Sequence, residues 1–195
     1  MRRRFFLLAI ALSGVTGAHS QGTVNFANFA ARVNAPALWE RQAPPPINYV
    51  YGRLAGPDYA AQLYYAAPGT GSNIDSYTPL AGVVPLQSGV GDGYFMGRST
   101  TIPGFGQGMP ISIIVAIFST LRGPDYATSR DNGGTGGFSN PVNVTLGGGV
   151  TPPPNLVGLQ SVVVPVSEPT AMTFLVTGGL VMLWARATRQ RGAKI

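Results

Sequence analysis

Ile111-Ser112-Ile113-Ile114-Val115-Ala116-Ile117-Phe118-Ser119 is the most apolar stretch in the body of the chain. Its β-branched content suits a sheet interior, and it is read as the central strand of an all-β domain. Seven further runs rich in Val, Ile, Tyr and Phe surround it, at 23–27, 47–54, 59–66, 80–86, 93–98, 141–146 and 156–164. Clusters of Gly, Pro, Asn and Asp separate them, the spacing of a sandwich or barrel. Val24 and Phe26 alternate with Thr23 and Asn25, and Val142, Val144 and Leu146 alternate in the same way. Leu63 and Tyr65 fall on one face of their run, Gln62 and Tyr64 on the other. Pro85 cannot donate to a ladder, which makes 80–86 an edge strand. No long segment keeps a helical period. The expectation is a single β-sandwich-like domain of about eight short strands.

Residues 21–166 comprise 146 positions, enough for one domain with its own core. Gly (22) and Pro (16) make up about 26% of them, which reaches the low-complexity range; the recurring apolar runs argue for a turn-rich β fold instead. Leu54-Ala55-Gly56-Pro57-Asp58-Tyr59-Ala60 recurs as Leu121-Arg122-Gly123-Pro124-Asp125-Tyr126-Ala127. Both copies read as a Gly-Pro-Asp turn feeding an aromatic strand start. Residues 41–46, with three consecutive prolines, and 130–140, with Gly133, Gly134, Gly136 and Gly137, read as long loops. Pro152-Pro153-Pro154 spaces the last strand from the one before. The glycine-rich stretches 89–93 and 104–108 read as hairpin loops, since no helical pattern follows either as a nucleotide loop requires.

The two ends read as targeting segments. Arg2, Arg3 and Arg4 precede an apolar run at 5–15, and Ala18-His19-Ser20 is a small-x-small site. Residues 1–20 are therefore read as a secretory signal helix that signal peptidase removes before Gln21. At the other end, Ser167-Glu168-Pro169 opens a tail at 167–195 with an uncharged run, 170–185, and a basic end, 186–195. In lipid a single segment satisfies its own backbone only as a helix, so 170–185 reads as a transmembrane helix. Sixteen residues reach about 24 Å, short of the roughly 30 Å hydrocarbon core. Arg186, Arg189, Arg191 and Lys194 form a membrane stop that keeps the tail's end cytoplasmic and the body outside.

A proline-marked edge, an apolar helix and a basic end, in that order, resemble the PEP-CTERM sorting domain that exosortases recognise in Gram-negative envelopes. Glu168 and Pro169 match its Pro-Glu-Pro triplet, and Ser167 stands in place of the first proline. The resemblance covers about 30 of 195 residues. The order of segments in the body is similar to exported proteins of the verrucomicrobial PEP-CTERM group. The resemblance implies an exported protein held in the envelope membrane, processed by an exosortase-like enzyme, and released to the cell surface or extracellular matrix.

Composition narrows the chemistry. The signal segment carries three of the thirteen cations and the basic end at 186–195 four, which leaves six against all seven acids over residues 21–185, so the exported body is near −1. Such a body has no basic stripe for nucleic acid. The chain has no cysteine, and its one histidine, His19, lies in the signal segment. His- and Cys-based nucleophile systems and the usual zinc and copper ligand sets are thereby excluded from the mature body, and no cofactor or metal is expected. Asp58 and Asp125, in the matched turns, are the one carboxylate pair the sequence suggests for hydrolysis, and Asp after Gly-Pro is ordinarily a turn residue. Asp131-Asn132-Gly133 begins like a calcium loop and lacks the closing acid, so it reads as a turn. Tyr49, Tyr51, Tyr59, Tyr64, Tyr65 and Tyr77 read as strand-packing residues with hydroxyls at the rim. The same rings, if exposed, would form a platform for sugar rings. The resulting expectation is a non-enzymatic envelope or matrix protein whose partners are the secretion machinery, the sorting enzyme and the membrane, with exopolysaccharide as the alternative ligand. Intact mass spectrometry of protein recovered from the envelope should show a chain beginning at Gln21; a chain retaining Met1 to Ser20 would sink the signal reading.

Overall fold

The computed structural model describes residues 21–42 and 49–165. The expected signal segment with Ala18 and Ser20, the sorting triplet Ser167, Glu168 and Pro169, and the stop residues Arg186, Arg189, Arg191 and Lys194 lie outside the described residues. The fold is all-β. In chain order the strands are β1 (Gln21–Phe26), β2 (Phe29–Ala30), β3 (Val33–Asn34), β4 (Leu38–Gln42), β5 (Tyr49–Arg53), β6 (Tyr59–Ala66), β7 (Thr78–Pro85), β8 (Arg98–Gly106), β9 (Pro110–Ser119), β10 (Gly136–Phe138), β11 (Val142–Thr145) and β12 (Val163–Pro165). One short α-helix, α1 (Tyr126–Asp131), and 3₁₀ turns at Ile74–Ser76 and Gly89–Gly91 complete the described elements. Among the described residues, no helix is long and apolar enough to cross a membrane.

β9 is central, as its composition requires. It pairs antiparallel with β6 along eight residues, while β10 and β11 divide its other edge and β7 closes the sheet beyond β6. Nine of its ten residues are buried, because both faces are covered. Ile111, Ile113, Val115 and Ile117 belong to the main core with Val24, Phe26, Ile102, Leu156 and Val164. Ile114, Ala116 and Phe118 belong to a second core with Tyr64, Ile74, Tyr77 and Tyr126. An uninterrupted apolar run is what two-sided burial selects, whereas one solvated face would give alternation. The β1–β8 ribbon and the sheet β12-β4-β5 contribute to the main core, which makes the arrangement sandwich-like. α1 and the turn at Ile74–Ser76 cover the opposite face of the main sheet.

Several expectations need correction. Residues 93–97 are not a strand; the strand runs on from Arg98 to Gly106, and Gly104 and Gly106 lie within it. Gly93 is instead tied on both sides, donating to the Leu54 carbonyl at 2.6 Å and accepting from the Ala37 amide at 2.7 Å. The run 156–164 is extended only at its end, where β12 pairs parallel with Leu38, Trp39 and Glu40. Its apolar residues Leu156, Leu159 and Val162 are buried without a ladder. Two elements have no counterpart in the sequence reading: β4, and α1, which forms where the second Gly-Pro-Asp copy is expected to start a strand. The expected glycine-rich loop at 130–140 contains β10, whose Gly137 passes so close to the Val163 carbonyl that any Cβ would collide with it. Eight strands have four residues or more; the other four, β2, β3, β10 and β12, have two or three.

The segments at 28, 35 and 93–95 are joined by one buried side chain. Asn28 Nδ2 donates to the Ala35 carbonyl at 3.0 Å and the Gly93 carbonyl at 2.8 Å, and Asn28 Oδ1 accepts from the Phe95 amide at 2.9 Å. Irregular chain in a core must satisfy its backbone somewhere, and here an amide substitutes for a ladder. Asn28→Ala should cost about 2–4 kcal/mol in urea unfolding, because buried backbone groups lose their partners. The exposed Asn143→Ala should stay within about 0.5 kcal/mol of wild type.

Candidate functional site

The outer face of the β12-β4-β5 sheet carries an aromatic row. Tyr49, Tyr51 and Arg53 alternate with Val50 and Gly52 along β5, so all three side chains share one face. On the other face Trp39 packs directly over Gly52, whose missing side chain leaves room for the indole. That packing directs Trp39 to the main core and leaves Tyr49 and Tyr51 outward, each a little over half exposed. Tyr51 donates to Glu40 Oε1 at 3.2 Å across the β4–β5 ladder. The Arg53 guanidinium lies 5.0 Å from the Tyr94 ring centre, and the Tyr94 ring is 5.1 Å from that of Phe29, itself 65% exposed. Tyr94 also donates to Asn34 Oδ1 at 2.7 Å. The row thus runs from β5 across Arg53 to the β2–β3 hairpin, combining ring faces with a carboxylate, a guanidinium and a side-chain amide.

A second aromatic cluster lies on the far side of the main sheet. Tyr64, Tyr77 and Tyr126, with Ile74, Asp75, Pro79, Ala127 and Arg130, line a cleft of about 170 Å³. α1 brings Tyr126 and Arg130 there. Its start is fixed by Asp125, whose Oδ1 accepts from the Thr128 amide at 2.8 Å, and by Gln62 Oε1, which accepts from the Tyr126 amide at 3.0 Å. Arg130 Nη1 reaches Asp75 Oδ1 at 2.9 Å at the exposed rim, and its guanidinium carbon stands 5.9 Å from the Tyr126 ring centre. The Asp75 hydrogen bond and charge raise the Arg130 pKa further. Burial, with Asp125 and Tyr126 nearby, pushes the Tyr64 hydroxyl up to about 12, against a partial offset from Arg130. Burial raises Tyr126 as well.

The sequence-derived candidates fare differently. Gln21 opens β1 opposite Gly106. Asp125 caps α1 with its carboxylate and Asp58 stands exposed in its turn; no hydrogen bond or ion pair joins the two among the described residues. Asp131-Asn132-Gly133 ends α1 as a turn, with Asn132 Nδ2 bonded to the Arg122 carbonyl at 2.7 Å. Among the described residues, no three His, Cys, Asp or Glu side chains form a group that could hold a metal. Tyr64 and Tyr77 are buried packing residues as expected, whereas Tyr49 and Tyr51 are exposed. Tyr94 and Tyr126 were missed; Tyr126 carried a signal, since it sits in the repeated heptapeptide. No family model, no curated protein and no solved structure matches the chain.

An unfolded tyrosine loses its proton near pH 10, while folded Tyr64 keeps it to about 12. The folded state therefore holds more protons between those values, and stability falls as pH rises through that window. Unfolding free energies measured across it should fall more steeply for wild type than for Tyr64→Phe; parallel curves would contradict the assignment.

Proposed function

We propose that this chain is an exported, non-enzymatic envelope protein whose β body binds extracellular polysaccharide through the aromatic row on β5. The carrying observation is the row itself: Tyr49, Tyr51 and Phe29 are more than half exposed, Tyr51 stands opposite Glu40 in the β4–β5 ladder, and Arg53 lies against the Tyr94 ring that packs on Phe29. Tyr49 and Tyr51 stand about 6.7 Å apart along the strand, the scale of consecutive sugar residues. Their rings offer flat apolar faces to sugar C–H groups, and the flanking carboxylate, guanidinium and amide offer hydrogen bonds to hydroxyls. Glu40 and Arg53 are opposite in sign, so the row favours neutral chains over strongly anionic ones.

Export is supported by the two arginine-flanked apolar termini. The tail then serves to hold the body at the membrane until an exosortase-like enzyme acts near Glu168-Pro169.

Full-length protein should be retained by at least one insoluble or immobilised neutral polysaccharide in a pull-down. Tyr49→Ala and Tyr51→Ala should each weaken retention roughly tenfold, the loss of about 50 Å² of ring contact at ~25 cal/mol per Å². Retention unchanged by both substitutions, or no retention on any neutral polysaccharide, would remove the row from consideration.

A further inference from the structure

We propose that Gln21, once signal peptidase makes it the N-terminal residue, closes on itself to a pyroglutamyl ring, so that the exported body begins with a lactam instead of an amine. Cleavage before Gln21 is the premise, and it rests on the export reading above.

The step needs no second reactant. The unprotonated α-amine of Gln21 attacks Cδ of its own side chain, and the new N–Cδ bond closes a five-membered ring. The Cδ–Nε2 bond breaks, and Nε2 leaves as ammonia with the proton that the amine gives up. Nothing is oxidised or reduced. An α-amine titrates at about pH 8, so part of it is neutral at neutral pH, and attack within one residue has the advantage of any intramolecular reaction.

The structure leaves this side chain free to react. Gln21 is exposed, and its amide makes no hydrogen bond to any described residue. Two other glutamines are held: Gln62 Nε2 donates to the Leu80 carbonyl at 3.2 Å, and Gln107 Nε2 donates to Thr151 Oγ1 at 2.6 Å. The backbone beside Gln21 is anchored without it. Thr23 and Gly147 exchange amide-to-carbonyl bonds, both at 2.9 Å, and a Cβ at Gly22 would collide with Leu146 and the Gly106 carbonyl. Ring closure therefore breaks no side-chain contact, and the lactam keeps the N–H and C=O that a strand end uses in its ladder.

Composition gives the ring a consequence. The only lysine in the chain is Lys194, so the Gln21 amine would be the one primary amine in residues 21–185. Its closure leaves a body without lysine, cysteine, histidine or a terminal amine, and so with no amine to form a Schiff base with the reducing ends of matrix sugars.

The test uses full-length chain expressed with export in a Gram-negative host, recovered from the envelope and treated with an amine-reactive label before trypsin digestion. The peptide Gln21–Arg32 should carry no label and weigh about 17 Da less than its sequence, the mass of ammonia. Gln21→Asn, whose shorter side chain would need a four-membered ring, should give the corresponding peptide labelled and at full mass. A wild-type peptide still labelled and at full mass after prolonged incubation overturns the ring and leaves export standing. Loss of the same mass from the Asn variant overturns it too, because the ammonia would then come from another residue. A chain retaining Met1 overturns the export reading and the ring together.

Discussion

The fold depends on β9 having no free side. Its two faces enter two different cores, and its two edges are both hydrogen-bonded. β6 occupies one edge without interruption from Ser112 to Ser119. The other edge is shared, with β11 opposite residues 110–113 and β10 opposite 116–118. The changeover leaves Val115, and Ser139 closes the gap by accepting from the Val115 amide with its hydroxyl at 3.0 Å and donating its own amide to the Val115 carbonyl at 2.9 Å. One buried serine thus makes a split partner behave as a continuous one. An unmet backbone group at the middle of a strand buried on both faces would have no water to turn to.

From that constraint follows which parts of the fold were legible in the sequence. β9 and β6 announce themselves because burial on both sides, or on most of both, demands a dense apolar run. β1 and β11 show alternation because their outer faces are less covered, and Pro85 marks β7 as an edge, where it is found. Among the described residues β8 pairs only with β1, so it tolerates Pro103, Gly104 and Gly106, residues that read locally as loop. β4 carries Trp39, Glu40 and Arg41, a polar run whose strand character comes from the ladders on both sides rather than from its own preference. β10 is nearly all glycine, so it reads locally as a loop, and the same lack of side chains lets the chain approach Val163 so closely.

The repeated heptapeptide separates local signal from tertiary outcome. Both copies make the Gly-Pro-Asp turn, and both place a tyrosine after it. The first feeds β6, since Tyr59 and Ala60 find Ser119 and Phe118 waiting opposite. The second lies just beyond that same edge of β9, with Thr120 donating to the Asp58 and Pro57 carbonyls of the first copy at 2.8 and 2.9 Å. With the ladder position already filled, the second copy winds into a helical turn capped by its own aspartate. Identical residues therefore cannot share one fate when only one strand position exists. The same logic limits what the sequence says of the surfaces. Which tyrosine is buried depends on the layer each strand joins, and that is not encoded in spacing alone.

Tyrosine placement is where stability and recognition part company. Tyr77 is fully bonded and adequately explained by packing. Tyr49 and Tyr51 lie on β5, the end strand of its sheet among the described residues, where an exposed aromatic edge invites association with other chains. A body near neutrality has little charge repulsion to counter that hazard. Arg53 and Glu40 supply local charge at the row, and this blunts strand-to-strand association while leaving the ring faces open. Tyrosine suits a strand on its own account, so these rings stabilise the sheet whatever else they do; on the function proposed above, the flat, mixed-charge, ring-lined strip they form is what meets an extended hydroxylated chain.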